Sequence, residues 1–134
     1  MANRVLAGYV APNDSGKYDL LVDHDGPASY NNSGTFGTSG EQINASDFGL
    51  GGFEVVGADV LSSDTVNEIV VALGATVAGG TSLQPAPAAG SPGPVVTTAV
   101  LHWYTGIRGI GGATEVTNAT NLSSKYIRLR ILGV

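Results

Sequence analysis

Cysteine is absent from this chain of 134 residues, which excludes disulfide bonds and thiolate metal sites. Charged residues are also scarce, at 13% against the roughly 25% of a typical soluble domain. No apolar run reaches the ~18 residues of a membrane span, and the segment after Met1 is too short for the apolar core of a signal peptide. We therefore expect a soluble, cytoplasmically made protein with no membrane partner, part of whose surface faces another protein.

Strong helix formers are scarce too, whereas glycine supplies 20 of the 134 residues, about twice its usual ~7% share. Turn signals separate seven or eight short apolar segments along the chain. This pattern predicts a single domain over 1–134 with an all-β sandwich or barrel fold and long Gly/Pro-rich loops. The expected strands are Arg4–Val10, Lys17–Val22, Phe53–Leu61, Asn67–Val77, Val95–Tyr104 and Tyr126–Leu132.

The C-terminal strand has the clearest period. Ile127, Leu129 and Ile131 alternate with polar residues, which predicts one face in the core. By contrast, residues 1–10 are expected to form an edge strand or an arm on a neighbouring subunit. Residues 78–94 contain four prolines and four glycines, so they should form an exposed loop.

Two other connections are predicted as loops. Residues 23–40 are rich in Gly, Asn and Ser, and residues 106–112 are rich in glycine. Neither glycine-rich segment carries the Lys of a phosphate-binding loop or precedes a helix. We therefore expect no cofactor there.

An eight-residue pattern, E-x-x-N-A-(S/T)-(D/N)-(F/L), occurs at residues 41–48 and again at 115–122. In each copy an Asn stands three residues before an Asp or Asn, an arrangement that can cap a short helical or 3₁₀ turn. The final Phe48 or Leu122 would then pack into the core. We interpret the two octets as equivalent corners of one structure.

Charge is divided unevenly between the two halves of the chain. Residues 1–68 hold ten acids and two bases, a net −8, and residues 69–134 hold one acid and four bases, a net +3, which sum to the −5 of the whole chain. A nucleic-acid-binding protein would normally be basic overall, so no nucleic-acid partner is expected. The separation indicates either solvated strand faces or an oriented protein interface.

Residues Asp23, His24 and Asp25 form the densest polar cluster in the sequence. Alternate residues of a strand point in opposite directions, so all three could approach one metal only from a loop, and we predict a turn without a metal. His102, beside Trp103 in an apolar segment, is predicted to be a packed or interface histidine. Two histidines and no cysteine leave little for nucleophilic catalysis, so we predict that the chain is not an enzyme.

The octets with their flanks, residues 40–50 and 115–123, followed by Arg128, Arg130 and Gly133, resemble small head decoration (cement) proteins of tailed bacteriophages. The resemblance covers about half the chain, and residues 78–94 depart from the short hairpin expected of such proteins. It implies a β-sandwich, often jelly-roll-like, on the outside of an icosahedral virion. There it would bind major capsid protein subunits and bridge them, as a homo-oligomeric dimer or trimer.

The residues proposed for a capsid or subunit interface are Arg4, Trp103, Tyr104, Arg128 and Arg130. The two C-terminal arginines lie two residues apart on one strand face and call for carboxylate partners. These could lie on the shell, on a second copy, or in the acid-rich first half of the same chain.

A carbohydrate-binding or tail-fibre module is the alternative function. It would also be a β-sandwich, and it would need exposed aromatic side chains such as Tyr9, Tyr30, Trp103 and Tyr104.

Overall fold

The computed structural model describes residues 3–9, 17–32, 39–60, 66, 68–74, 89–90, 95–107 and 110–134. Of residues 5–9, 107 and 110–113 it describes the backbone alone. Within these ranges the chain forms two antiparallel sheets and one four-residue 3₁₀ helix, Ala45–Phe48, which confirms the all-β prediction. The strands are β1 (Asn3–Tyr9), β2 (Tyr18–Asp25), β3 (Glu41–Asn44), β4 (Phe53–Val60), β5 (Glu68–Leu73), β6 (Thr98–Ile107), β7 (Ile110–Glu115) and β8 (Tyr126–Gly133).

Sheet I has the strand order β1-β2-β8-β4, so the C-terminal strand lies in its interior and β1 at one edge. β8 pairs along its whole length with β2 and along most of it with β4. Ile127, Leu129 and Ile131 are fully buried, which confirms the predicted inward face of this strand. The alternate residues of β8, Arg128 among them, therefore lie on the outer face.

Sheet II is built around β6, which pairs with β5 on one side. On its other side β3 pairs with Thr98–Leu101 and β7 with Tyr104–Ile107, so β3 and β7 lie end to end. This edge has a gap opposite His102 and Trp103. Among the described residues, the buried side chains of His24, Glu41 and His102 form polar contacts beside this gap.

One hydrophobic core joins the two sheets. Its buried members come from β2, β4 and β8 of sheet I, from β3 and β6 of sheet II, and from the intervening segments. The largest fully buried side chains in it are Trp103, Tyr30, Phe53, Ile43, Leu101, Leu122, Ile127, Leu129 and Ile131.

The two predicted loops are shorter in the structure. β2 continues through Asp25 because Asp23, His24 and Asp25 pair with the first residues of β8, so the predicted turn at 23–25 is wrong. Likewise Ile110–Glu115 forms β7, since backbone pairing with β6 accommodates its glycines. In the predicted 78–94 loop, Ala89 and Gly90 form a turn and the other residues lie outside the described ranges, as do Arg108 and residues 33–38.

The two octets differ in backbone conformation. In the first, Asn44 is the N-cap of the 3₁₀ helix, as predicted, and its backbone N–H donates to the Asp47 carboxylate at 3.1 Å, one half of a capping box. In the second, Ala119 has a left-handed φ of 66° and the chain makes a turn. The side chain of Asn118 is used differently there, because its Oδ1 accepts from the backbone of Asn32 at 2.9 Å.

Candidate functional site

The gap in the edge of sheet II is closed by Tyr30. The backbone N–H of Trp103 donates to the Tyr30 hydroxyl at 3.1 Å, and the Trp103 carbonyl accepts from the N–H of Val116 at 2.8 Å. Tyr30 is 1% exposed and Trp103 is fully buried. A side-chain hydroxyl thus satisfies a buried backbone donor where a neighbouring strand would normally do so.

Glu41, the first residue of β3, forms one half of a buried polar network. Its Oε1 accepts from the indole Nε1–H of Trp103 at 3.1 Å, and its Oε2 lies 3.0 Å from Nε2 of His24. The side chains of Glu41 and His24 are 3% and 1% exposed. Because His24 belongs to β2 of sheet I, this contact links the two sheets through the core. The other ring nitrogen of His24 lies 2.5 Å from Oδ1 of Asn3, on β1.

Glu115, the last residue of β7, forms the other half. Its Oε1 accepts from the Tyr30 hydroxyl at 2.6 Å and lies 3.0 Å from Nδ1 of His102. Burial, followed by the hydrogen bond to Glu115, raises the pKa of Tyr30 well above its ordinary value of 10.0. Tyr30 therefore stays protonated as a donor to Glu115 while it accepts from Trp103.

The two halves share one chemical arrangement, since each glutamate contacts one histidine and accepts from one aromatic donor. Both glutamates occupy the first position of an octet. The equivalence of the octets thus lies in their glutamates more than in the turns that follow. Sequence reasoning assigned His102 a packing role, which its full burial supports, but missed its partner. One usable signal was the matching number of candidate partners, since the sequence contains two octet glutamates and two histidines.

The described residues use this network for internal hydrogen bonding. A histidine held by a glutamate is one part of an acid–base catalytic site. Here, however, both ring nitrogens of His24 are in contact with protein atoms, and Glu41 is used at both oxygens. A cleft of about 280 Å³ lies beside it, lined by Asn3, His24, Ile43 and Asp47. The described part of the chain has no group of three or more His, Asp or Glu side chains arranged to hold a metal.

The outer face of sheet I carries a set of ion pairs. Arg4 binds Asp25 through two hydrogen bonds of 2.6 Å, Arg128 binds Asp23 at 2.9 Å, and Arg130 binds Asp19 at 3.1 Å. All three carboxylates belong to β2, in the first half of the chain. Three sources were considered for the carboxylate partners of Arg128 and Arg130. The structure shows that these partners come from the first half of the same chain.

These pairs shift the pKa of their members. The hydrogen bond from Arg4 lowers the pKa of Asp25 below its ordinary 3.8, and the hydrogen bond to Asp25 raises the pKa of Arg4. The hydrogen bond to Asp23 likewise raises the pKa of Arg128. The Arg4 guanidinium also lies 6.0 Å from the centre of the Tyr126 ring.

Beside the Arg130 pair the same face becomes apolar. Val55 is 52% exposed, and it borders a shallow cleft of about 210 Å³ whose lining includes Gly57, Leu132 and Arg130. The outer face thus combines charged pairs with an exposed apolar part. Such a mixture is common in surfaces that contact other proteins.

The residues proposed for an interface fall into two groups. Arg4 and Arg130 are exposed and Arg128 is 37% exposed in its side chain, all on the outer face of sheet I. Trp103 is fully buried inside the chain, and Tyr104, partly exposed, lies on sheet II opposite Glu68. The expectation of exposed aromatic rings is wrong for Tyr30 and Trp103, because both rings fill the core; the side chain of Tyr9 lies outside the described residues.

The fold and the site define an all-β protein with a buried Glu–His–aromatic network and an ion-paired outer sheet face. Comparisons of the chain with protein-family models, with curated proteins and with solved structures found no match. Within the described residues, no helix has the length and apolarity to cross a membrane.

Proposed function

We propose that this protein is a structural component of a phage virion that binds the outer surface of an icosahedral capsid. There it stabilises the shell by bridging major capsid protein subunits. It works as a homo-oligomer, without catalysis, cofactor or nucleic acid. Its two sheets form a jelly-roll-like sandwich around the shared core.

The observation that carries this proposal is where the polar chemistry of the described residues lies. Both histidines and both octet glutamates are used inside the protein, in contacts that tie strands together. The side chains that face outward on sheet I form ion pairs beside exposed apolar residues. A rigid core with a mixed outer face is suited to binding another protein rather than to transforming a substrate.

The octets, which carry the resemblance to decoration proteins, support the same conclusion. They position Glu41 and Glu115 around the gap in sheet II and end in residues that pack against the core, Leu122 fully and Phe48 partly buried. Their role is to build the scaffold. A scaffold that must survive on a particle surface gains from such buried polar contacts between strands.

The capsid itself multiplies a weak contact. Many equivalent sites lie close together on a shell, so an oligomer that bridges neighbouring subunits binds with a high effective concentration. The outer face of sheet I is a contact surface between copies within this oligomer. Reversing the charge of Arg128 is a poor test of it, because a Glu there would oppose Asp23 directly across the strand pair and destabilise the sheet.

Co-sedimentation with undecorated phage capsids tests the proposal. We expect saturable binding at a fixed ratio to the shell protein, together with a higher temperature of capsid disruption. Capsids that are already fully decorated serve as the control, since their sites are occupied. Pelleting no greater than that of an unrelated β-sheet protein, at both low and high salt, would reject the function.

Carbohydrate binding remains the alternative function. Two of the four aromatic residues on which it depended are buried, which weakens it. Specific binding on a glycan array, together with no affinity for capsids, would favour it over decoration.

A further inference from the structure

The outer face of sheet I has an alternating charge pattern from strand to strand. β1 carries Arg4, β2 carries Asp19, Asp23 and Asp25, β8 carries Arg128 and Arg130, and β4 carries Asp59. The signs across the sheet are therefore plus, minus, plus, minus. The row that contains Arg4, Asp23, Arg128 and Asp59 shows the alternation in full, because these four residues are successive partners in the strand register.

From this pattern we infer that the outer face of sheet I binds the same face of a second copy of this chain, about a two-fold axis that runs parallel to the strands between β2 and β8. This two-fold places β2 opposite the partner's β8 and β1 opposite the partner's β4. Each basic strand then faces an acidic one. A face of a single sign would require a different surface as its complement, whereas this face is its own complement.

The same operation preserves the position along the strands. Asp23 thus faces Arg128 of the partner subunit, and Arg4 faces Asp59 of the partner subunit, each contact occurring twice. In the single chain Asp59 is exposed and stands opposite Arg128, which already binds Asp23. The second copy would join the existing pairs into an extended network.

The apolar end of the face fits the same arrangement. Leu21 and Leu132 are outward-facing and partly exposed, and they lie one register row apart on β2 and β8. In the proposed dimer β2 lies opposite the partner's β8. Leu21 of one copy therefore comes within one row of Leu132 of the partner subunit, and this contact occurs twice. Contact between these leucines removes apolar surface from water and so adds a hydrophobic contribution to dimer stability, which the charged pairs do not supply.

The size of the face sets the expected strength. Four strands about 4.8 Å apart and four same-face rows about 6.8 Å apart cover roughly 500 Å² per copy, or about 1,000 Å² in total. This area is near the lower limit for a specific interface. A reversible, salt-sensitive dimer at micromolar concentrations is therefore expected rather than a permanent one.

The inference rests on the proposed homo-oligomer but not on capsid binding, so it is tested without capsids. Sedimentation velocity of the full chain at tens of micromolar protein and low salt should show a monomer–dimer equilibrium that shifts to monomer at high salt. A monomer under all conditions, or a trimer, would overturn the two-fold arrangement. Failure to bind capsids by a protein that does dimerise would instead reject the proposed function alone.

Charge exchange gives the sharper test. Asp59→Arg removes no member of the three in-chain ion pairs, although it places an arginine opposite Arg128 across β4 and β8. In the dimer it sets one arginine against the partner's Arg4 at each of the two equivalent sites, so its dimer should be at least about 100-fold weaker. Arg4→Asp should have the same effect, and an equimolar mixture of the two variants should dimerise again, because one opposed pair is native and the other is reversed. Ser124→Arg, in an exposed turn outside the strands of sheet I, is the control and should dimerise normally.

Circular dichroism establishes that each variant is folded. If Arg4→Asp loosens β1, the Asp59→Arg result decides by itself. Dimerisation of Asp59→Arg equal to that of the wild type, or a mixture that stays monomeric while both variants are folded, would overturn the inference.

Discussion

Replacement of Glu41 by alanine should be among the most damaging single substitutions in this protein. The Glu41 side chain is 3% exposed and its two oxygens accept from Trp103 and contact His24. Alanine would leave the buried indole N–H of Trp103 without its acceptor and one buried ring nitrogen of His24 without its partner. Each such loss costs about 1–3 kcal/mol, and removal of one member of a buried pair costs about 3–5 kcal/mol in total.

That loss is large beside the ~5–15 kcal/mol by which a domain of this kind is normally stable. Glu41→Gln should cost less, about 1–3 kcal/mol, because its amide oxygen can still accept from Trp103 while its amide nitrogen faces His24. Glu54→Ala is the matched control. Glu54 pairs with Lys17 at 2.8 Å on the surface, where such a pair contributes about 0–1 kcal/mol.

Urea unfolding followed by tryptophan fluorescence measures these differences, since Trp103 is the single tryptophan of the chain. The expected order of stability is wild type, Glu54→Ala, Glu41→Gln, then Glu41→Ala. A Glu41→Ala variant that loses less than about 1 kcal/mol would refute the reasoning. The Glu41 network would then be dispensable to the fold.

Three further predictions address other parts of the structure. Leu129→Ala should cost about 2–5 kcal/mol because Leu129 is fully buried, while Val134→Ala, at a residue 40% exposed, should cost below about 0.5 kcal/mol. Equal losses in urea unfolding would contradict the assigned inner face. Tyr30→Phe should cost about 1–3 kcal/mol and remove one cause of alkaline unfolding. Because the pKa of Tyr30 is raised in the folded state, its contribution to stability is present at neutral pH and is lost as the pH rises above about 10. An alkaline unfolding transition that is the same in the variant and the wild type would argue against this role. The pKa of Asp25 is lowered by Arg4, so their pair contributes stability that is present above about pH 4 and is lost as the pH falls through the folded-state pKa. Asp25→Asn should therefore speed hydrogen exchange in β1 at neutral pH. Unchanged exchange in β1 would count against a stabilising role of the pair.

Much of the fold could be predicted from the sequence because strand periodicity is a local property. The inward residues of β8 follow directly from their alternation with polar neighbours, and burial of one face dictates the register. The ends of the strands were harder to predict. β2 extends through Asp25 because its last residues pair with the first residues of β8, where Arg128 binds Asp23 across 105 positions of sequence.

The candidate site was harder to predict for the same reason. The octets were visible as a repeat, but the roles of Glu41 and Glu115 depend on which histidine and which aromatic donor the two sheets bring to them. Local patterns do not contain that information. The burial of Trp103 and Tyr30 follows from the gap in sheet II, which exists only once β3 and β7 have paired with β6.

Electron cryo-microscopy of undecorated phage capsids incubated with this protein would show whether it decorates the shell. Extra density should appear on the outer surface at equivalent positions, each contacting two or more major capsid protein subunits and matching the two β-sheets of this chain in size. Capsids that remain bare at saturating protein, or density confined to tail structures, would contradict the proposed function.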